Sequence, residues 1–362
     1  MYLNHISLLN YRNHDELNLQ FDNRIVCFTG ANGSGKTNLL DAIYYLAFCR
    51  SYFNPADHQI IKHEEPLMLI QGQFNDEEEQ LAIYCGLKRG QRKIFKKNGK
   101  EYSRLADHIG LISAVMISPT DHYLITGTSE DRRRFLDSSI SVQDRGYLET
   151  LIIYNRLLTQ RNAVLRSFAE QNRYDEASLE IWDMQLAPAA DILYQKRKDF
   201  IAEFSQVFSD YYKSIGTIEE TPTITYISQL QEQSAETHLQ QTLRRDLAAG
   251  TTTSGPHKDD IEFKLGGFPL KKFASQGQQK TYLLALKIAQ YFWLQKNKKQ
   301  NPILLLDDIF EKLDNTRVEK LFSLVASDNF GQVFITDTDP KRVAKAFAKT
   351  KTEPQFIKIG ER

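Results

Sequence analysis

Eight residues constrain this chain more than any others: Gly30-Ala31-Asn32-Gly33-Ser34-Gly35-Lys36-Thr37. Gly-x-x-x-x-Gly-Lys-Thr is the loop whose backbone N–H groups cradle phosphates, here with an additional glycine at Gly33. Its flanks are the ones such a loop requires. Arg24 to Thr29 is a short apolar run suited to a buried strand, and Asn38 to Leu46 carries apolar residues at helical spacing. A strand therefore feeds a glycine loop that opens a helix, so that successive amides and the positive end of the helix dipole converge on one anion. Lys36 is expected to reach the β- and γ-phosphates of ATP and the Thr37 hydroxyl to sit on Mg²⁺, with Asn38 closing the nucleotide-binding set. A glycine-rich turn reproduces the bare pattern by accident in about one chain in a hundred of this length. A strand and a helix in the right order make the accident rarer.

Lysine plus arginine (46) balance aspartate plus glutamate (46), so no net field draws the chain to nucleic acid and any DNA contact has to come from local patches. Cys27, Cys49 and Cys85 lie far apart without zinc spacing, as the reduced, buried thiols of a cytoplasmic protein do. Met1 to Ile6 carries no signal-peptide pattern, and no apolar run approaches the ~20 residues that span a bilayer. The expectation is a cytoplasmic protein with no membrane partner, and its 362 residues are enough for more than one domain.

Along the chain, Leu3 to Leu9 and Leu17 to Phe21 alternate as antiparallel strands leading into the P-loop strand, with Tyr11-Arg12-Asn13-His14 as a polar turn. Arg12 is suited equally to leaning on a nucleotide phosphate and to solvating the turn. Leu67 to Ile70 and Leu81 to Cys85 read as strands on either side of an acidic turn, 75–79. Ile94 to Tyr102 reads as a hairpin around Asn98-Gly99. Lys88, Arg89, Arg92, Lys93, Lys96 and Lys97, together with Lys100, make this strip basic. It is either a solvated edge or a DNA-backbone contact. Ala114 to Ile117 is a buried strand. From Glu130 the pattern turns helical, with 3.6-residue periodicity at Tyr147 to Leu158 and an apolar stripe Leu179, Trp182, Leu186, Ile192, Phe200, Phe204 and Phe208. Strand signals resume at Thr223 to Ile227. A helical segment, 236–247, and a polar loop, 250–260, lead to another strand at Ile261 to Leu265. The organisation expected is 1–118 as the first part of an ATPase head, 119–217 as an inserted helical arm and 218–362 as the rest of the head.

Asn301 to Asp308 is an apolar strand ending in two carboxylates. With a P-loop in the same chain, a strand beside the P-loop strand is expected to present Asp307 to Mg²⁺, and Asp308 to orient or deprotonate the attacking water. Gln332 to Asp337 is a further buried strand whose polar end suits a γ-phosphate sensor. Ser275-Gln276-Gly277-Gln278, opening a helix to about Lys296, is a second phosphate-seeking surface. One ATP has one γ-phosphate, already cradled in its own subunit, so this loop is expected to meet the ATP of another subunit, two heads closing around two nucleotides.

Together these motifs resemble the RecF family, bacterial DNA replication and repair ATPases of the ABC/SMC-like class. The resemblance is carried by Tyr11-Arg12-Asn13, the P-loop, Arg132 to Asp137 and Gln160-Arg161-Asn162, then by Ser254 to Asp260, Ser275 to Lys280 and Leu304 to Asp308. It implies an α/β ABC/SMC-like P-loop head of mixed sheets and flanking helices with an inserted α-helical arm. It also implies an ATP-induced homodimer that binds single-strand/double-strand DNA junctions and gaps. Such a dimer hydrolyses ATP slowly and works with RecR and RecO to load RecA in gap repair and the SOS response. By position, Lys36 and Thr37 are the Walker A pair, Asp307 is Walker B, Ser275 to Lys280 form the signature loop, and Leu313-Asp314 falls at the D-loop. Asp308 replaces the usual catalytic glutamate, one methylene shorter, and Ser118 to Asp121 has no glutamine for a Q-loop. Other SMC-like heads carry long coiled coils that this chain lacks, and transporter ATPases read Leu-Ser-Gly-Gly where it has Ala-Ser-Gln-Gly. A nucleotide-locked DNA-binding scaffold with negligible hydrolysis is the non-enzymatic alternative.

Overall fold

The computed structural model describes the chain except residues 54–55, 76–78, 172–173, 217–219, 299–300, 310–314, 349, 351 and 361–362. Its elements in chain order begin with β1 (Tyr2–Tyr11), β2 (His14–Gln20), β3 (Ile25–Thr29), α1 (Lys36–Phe48), β4 (Leu67–Asn75), β5 (Gln80–Lys88), β6 (Ile94–Lys97), β7 (Lys100–Glu101) and β8 (Ala114–Ile117). Then come α2 (Tyr123–Thr126), α3 (Ser129–Gln143), α4 (Arg145–Gln171), α5 (Glu176–Ile215), β9 (Pro222–Ile227), α6 (Ala235–Ala249), β10 (Asp260–Leu265), β11 (Phe268–Pro269) and α7 (Leu270–Phe273). The remainder is α8 (Gln276–Lys298), β12 (Ile303–Leu306), α9 (Asn315–Ala326), β13 (Val333–Asp337), α10 (Pro340–Phe347) and β14 (Gln355–Lys358). Residues 76–78 of the acidic turn expected at 75–79, and the D-loop position Leu313-Asp314, fall outside the described residues.

Two compact units result. The first comprises Met1–His122, Tyr211–Thr217 and Gln276–Arg362. In it an antiparallel sheet runs β2-β1-β4-β5-β6-β7, and a parallel sheet runs β14-β3-β13-β12-β8. The strands of β3, β13, β12 and β8 are buried along their whole length, as parallel strands covered on both faces are. In β4, buried and outward positions alternate instead. Helix α1 packs against β4, β1 and β5 of one sheet and β13 and β8 of the other. That position explains why Leu39, Leu40, Ala42, Ile43, Tyr45 and Leu46 are all buried: a helix between two layers has no solvent face. The hairpin β1–β2 is the one its alternation predicts, but it belongs to the antiparallel sheet and not to the layer of β3. Asn98 (φ 49°) and Gly99 (φ 81°) turn β6 into β7 with two left-handed residues, as a tight hairpin of this twist demands.

The second unit comprises Tyr123–Asp210 and Ile218–Ser275. Residues 218–275 pack there with the helices, whereas the sequence pattern placed them with the head. The reason is ionic. Arg132 of α3 grips Asp260 of β10 through Nε and Nη2 at 2.6 and 2.9 Å, and Arg133 Nη1 donates to the Asp259 carbonyl at 2.7 Å. On α5 the apolar stripe holds at Leu179, Leu186, Phe200, Phe204 and Phe208, all buried, but Ile192 is 49% exposed and Leu193 takes the inward place. Leu193 lies seven residues after Leu186, two full turns on, and Ile192 is one residue out of phase. Trp182 is half-buried. Among the described residues no helix is long and apolar enough to cross a membrane.

Candidate nucleotide site

The loop between β3 and α1 owes its shape to glycines. Gly30 has φ 148°, and a Cβ there would stand 2.3 Å from the Ile359 carbonyl oxygen; Gly35, which caps α1, has φ 103°. Both conformations favour a residue without a side chain. The β1–β2 turn clasps this loop from the side. Asn13 Nδ2 donates to the Gly33 carbonyl at 3.3 Å, Asn38 Nδ2 donates to Asn13 Oδ1 at 2.7 Å, and a His14 ring nitrogen lies 3.1 Å from the Gly35 carbonyl. Arg12 points elsewhere: its Nη2 donates to Asp41 Oδ2 at 2.8 Å and Ser51 Oγ at 2.9 Å. No acidic residue lies in the first turn of α1, which leaves its dipole uncompensated.

Inside the cradle, Lys36 is 5% exposed and donates to the carbonyls of Gly30 and Ala31, both at 2.9 Å. Neutral carbonyls satisfy its hydrogen bonds without cancelling its charge. Ser34 Oγ is buried without a hydrogen-bond partner among the described residues, and Ala31, Asn32 and Gly33 are exposed. A buried ammonium held by carbonyls and an orphaned hydroxyl, ringed by open backbone, fit a polyphosphate.

Thr37 Oγ1 donates to Asp307 Oδ1 at 2.8 Å, and Thr336 Oγ1 donates to the same oxygen at 2.9 Å. β13 lies between β3 and β12, so the carboxylate strand is one place removed from the P-loop strand and not beside it as expected. The pair still meets because α1, packed on β13, brings Thr37 over the intervening strand. Burial pushes the Asp307 carboxyl up to about 6, against the hydrogen bonds from Thr37 and Thr336 and with the Asp308 charge adding to the rise. Asp308 is half-exposed with φ 44°, and its N–H donates to Thr336 Oγ1 at 3.0 Å. Asp308 is thus a non-glycine residue in the left-handed region beside a buried carboxylate. Thr336, the candidate sensor, is committed to both aspartates. Thr37 and Asp307 together form the donor set suited to a hard divalent cation. The signature residues Ser275 and Gln276 are exposed, Gly277 and Gln278 are half-buried, and Ser275 directly precedes α8.

The basic strip divides. Lys93 is tied down, with Nζ 2.6 Å from the Cys49 carbonyl and 2.7 Å from Asp57. Arg89 spans the carbonyls of Glu65, Ile61, Lys62 and His58, and Arg92 reaches the Ser103 carbonyl. Lys88 is exposed, Lys97 half-exposed, and Lys96 lies over the Tyr84 ring. In the second unit the run Arg132 to Arg134 pairs with Asp260, the Asp259 carbonyl and Glu130. Asp137 is taken by Arg197, a fully buried residue whose role no motif announced. Arg197 also holds Asp259 and the Pro256 carbonyl, while Arg161 holds Asp183 and Asp246 and Asn162 accepts from the Thr252 N–H. The Arg161-Asn162 and Ser254–Asp260 motifs thus converge on one buried network.

A family model described as the RecF/RecN/SMC N terminal domain matches residues 2–356. A solved Smc head bound to the C-winged helix domain of ScpA superposes with a TM-score of 0.59 at 15% identity, covering 100% of this chain and 95% of that one. Fold and site therefore define an ABC/SMC-like ATPase head. The chain is also 48% identical to the DNA replication and repair protein RecF of Phocaeicola vulgatus, over 100% of its own length and 97% of the relative's. A solved structure of the recombination mediator protein RecF with ATP, in the RecFOR pathway, matches at a TM-score of 0.89 and 29% identity, covering 99% and 96%. The chain belongs to the RecF family.

Proposed function

We propose that this chain is an ATP-dependent DNA-binding protein of recombinational gap repair that closes as a homodimer on ATP and Mg²⁺. In this reading Lys36, the amides of Gly30 to Asn38 and the Ser34 hydroxyl bind the triphosphate. Thr37 and Asp307 hold the magnesium ion, which neutralises phosphate charge when bound. Asp308 orients the attacking water, and its short side chain suits slow, DNA-stimulated hydrolysis. Ser275, Gln276, Gly277 and Gln278 of one copy meet the nucleotide of the other. The closed pair binds single-strand/double-strand junctions and gapped duplex, with Lys88, Lys96 and Lys97 the basic residues of the strip that face phosphates. RecR, and through it RecO and RecA, are the partners, in the cytoplasm. The observation that carries this reading is the buried Lys36 whose ammonium is met by carbonyls, with Thr37 bonded to Asp307 at 2.8 Å nearby. The likeness to the ATP-bound RecF structure over 99% of the chain supports it.

Light scattering on the purified protein tests it. The mass is expected to double with Mg-ATP in the wild type and to stay monomeric in Ser275→Arg, which retains ATP binding. A normal ATP-induced dimer in that variant overturns the sandwich.

A further inference from the structure

Phe268 and Phe273 are 61% and 66% exposed, with ring centroids 5.5 Å apart. The backbone of the second unit holds them outward. β10 turns into β11 through Gly266 (φ 58°) and Gly267 (φ 83°), and Phe268 pairs with Leu265 directly after that turn. Leu270, fully buried, anchors the start of α7, and Lys271, Lys272 and Phe273 behind it are all exposed. Neither lysine pairs with a carboxylate among the described residues, and Glu262 of the neighbouring β10 is already taken by Lys264 at 2.7 Å. α2 packs on α7 and carries Tyr123, 54% exposed. Three elements of the second unit thus present aromatic rings to solvent, two of them in contact, beside two lysines that no acid neutralises.

We propose that this patch is a stacking platform for the unpaired strand of a DNA junction, with Phe268 and Phe273 receiving base faces and Lys271 and Lys272 the phosphates between them. The inference rests on the DNA-binding reading and names the surface that takes the single strand. Two phenylalanine rings left in water by the fold gain from a partner that offers flat apolar faces. Two lysines beside them call for a partner that is also anionic. Single-stranded nucleic acid supplies both along one chain, a π-face on every base and a charge on every phosphate. A duplex supplies only the second, because its bases are closed against one another. The basic strip of the first unit shows the contrast: between Lys88 and Lys97 the one phenylalanine, Phe95, is buried, so that surface offers charge without rings. The two surfaces divide a junction by its chemistry, duplex phosphates to one and unpaired bases to the other.

Fluorescence anisotropy in Mg-ATP tests it with three probes: an oligo(dT) of about 20 nucleotides, an abasic strand of the same length and a blunt duplex. Three chains are compared: the wild type, Phe268→Ser/Phe273→Ser, and Phe268→Tyr/Phe273→Tyr, which keeps both rings. Loss of the rings is expected to weaken oligo(dT) binding about tenfold or more and to change the other two probes less than about twofold, with the tyrosine pair close to wild type. In Phe273→Trp, oligo(dT) is expected to quench the added indole emission and the abasic strand to leave it unchanged. Lys271→Gln/Lys272→Gln should flatten the log–log salt dependence on oligo(dT) by about 0.7 for each phosphate no longer neutralised. Unchanged oligo(dT) affinity in the serine pair, or equal losses on all three probes, overturns the proposal. Light scattering of the serine pair with Mg-ATP covers the other occupant, a second copy of this chain: loss of the ATP-induced mass assigns the rings to a contact between copies and overturns the platform. Wild-type protein that binds none of the probes refutes the DNA-binding reading itself, whereas binding to the duplex and not to oligo(dT) refutes only the platform.

Discussion

Lys36 and Lys93 are both lysines folded into the protein, and they meet different groups. Lys36 donates to two carbonyls; Lys93 has a carbonyl and the Asp57 carboxylate, with Tyr45 beneath it. The first has hydrogen bonds to neutral carbonyls and feels the Asp307 charge only at longer range, and the second is paired with a carboxylate of the fold. Lys93→Ala is therefore expected to destabilise the protein by about 2 kcal/mol, because Asp57 and the Cys49 carbonyl lose their partner. Lys96→Glu with Lys97→Glu is expected to leave stability within about 0.5 kcal/mol. The same pair should flatten the log–log salt dependence of duplex binding, by about 0.9 for each DNA phosphate the protein no longer neutralises. Urea midpoints read the first outcome and binding titrations at several salt concentrations the second. This division was not legible in the sequence, where the basic residues look alike. It depends on which strand partners and carbonyls face each side chain. Arg197 was missed for the same reason: among the charged residues of a long helix, nothing in spacing singles out the one whose partners are Asp137 and Asp259.

The strand–loop–helix element around Gly35 was legible almost whole, because its chemistry is local. Apolar run, glycines, lysine and helix succeed one another along the chain, and α1 starts at Lys36 itself. The clasp on its flank was not, since Asn13 and His14 are ordinary turn residues until β1 and β2 bring them against Gly33 and Gly35. The clasp makes the loop intolerant of even one carbon. A Cβ on Gly35 would lie 2.6 Å from His14 ring atoms and 2.7 Å from Asn13 Nδ2, at a φ of 103° that side chains avoid. Gly35→Ala is expected to lower ATP affinity at least tenfold while His14→Ala, made in the same chain, recovers part of the loss by opening space. Calorimetric titration of the single and double variants checks both. Element registers followed a similar rule. The stripe on α5 held where residues recur at three and four and slipped at Ile192, six after Leu186, where hydrophobicity alone gives no phase.

Across the whole molecule, each unit buries a neutral histidine. His108 in the first places Nε2 2.6 Å from the Leu46 carbonyl, which only accepts, so that nitrogen carries the proton and Nδ1 faces the Tyr102 hydroxyl at 3.2 Å. His257 in the second bonds the Thr252 carbonyl and Tyr154 in the same manner. Burial pulls both down to about 4. A group whose folded value lies below its unfolded one contributes stability that is complete above about 6.5 and is lost as pH falls towards 4, where the folded ring must take a proton. Each histidine is expected to cost about 2 kcal/mol between pH 7 and pH 5. His108→Gln should remove its share of that slope in denaturant titrations at the two pH values, and an unchanged slope would refute the assignment. The two-unit arrangement itself was only partly legible. The switch to helical periodicity at Glu130 announces the second unit, which begins at Tyr123, but β9 and β10 join that unit through contacts over a hundred residues apart, such as the ion pair of Arg132 with Asp260.

β3 is flanked by β13 and β14, and the Ile359 N–H closes on the Thr29 carbonyl at 2.7 Å, beside the first glycine of the cradle. The strand that delivers the P-loop thus waits for residues made more than three hundred positions later. At about 5–20 residues per second on the ribosome, β3 leaves the tunnel some 15–65 s before its neighbours exist. Through that interval an apolar strand with two unpaired edges is open to any other nascent chain. The loop after β3 therefore gains its last backbone partner only when residue 359 is in place, and slowed translation is expected to lower the soluble yield, which expression at two elongation rates would read.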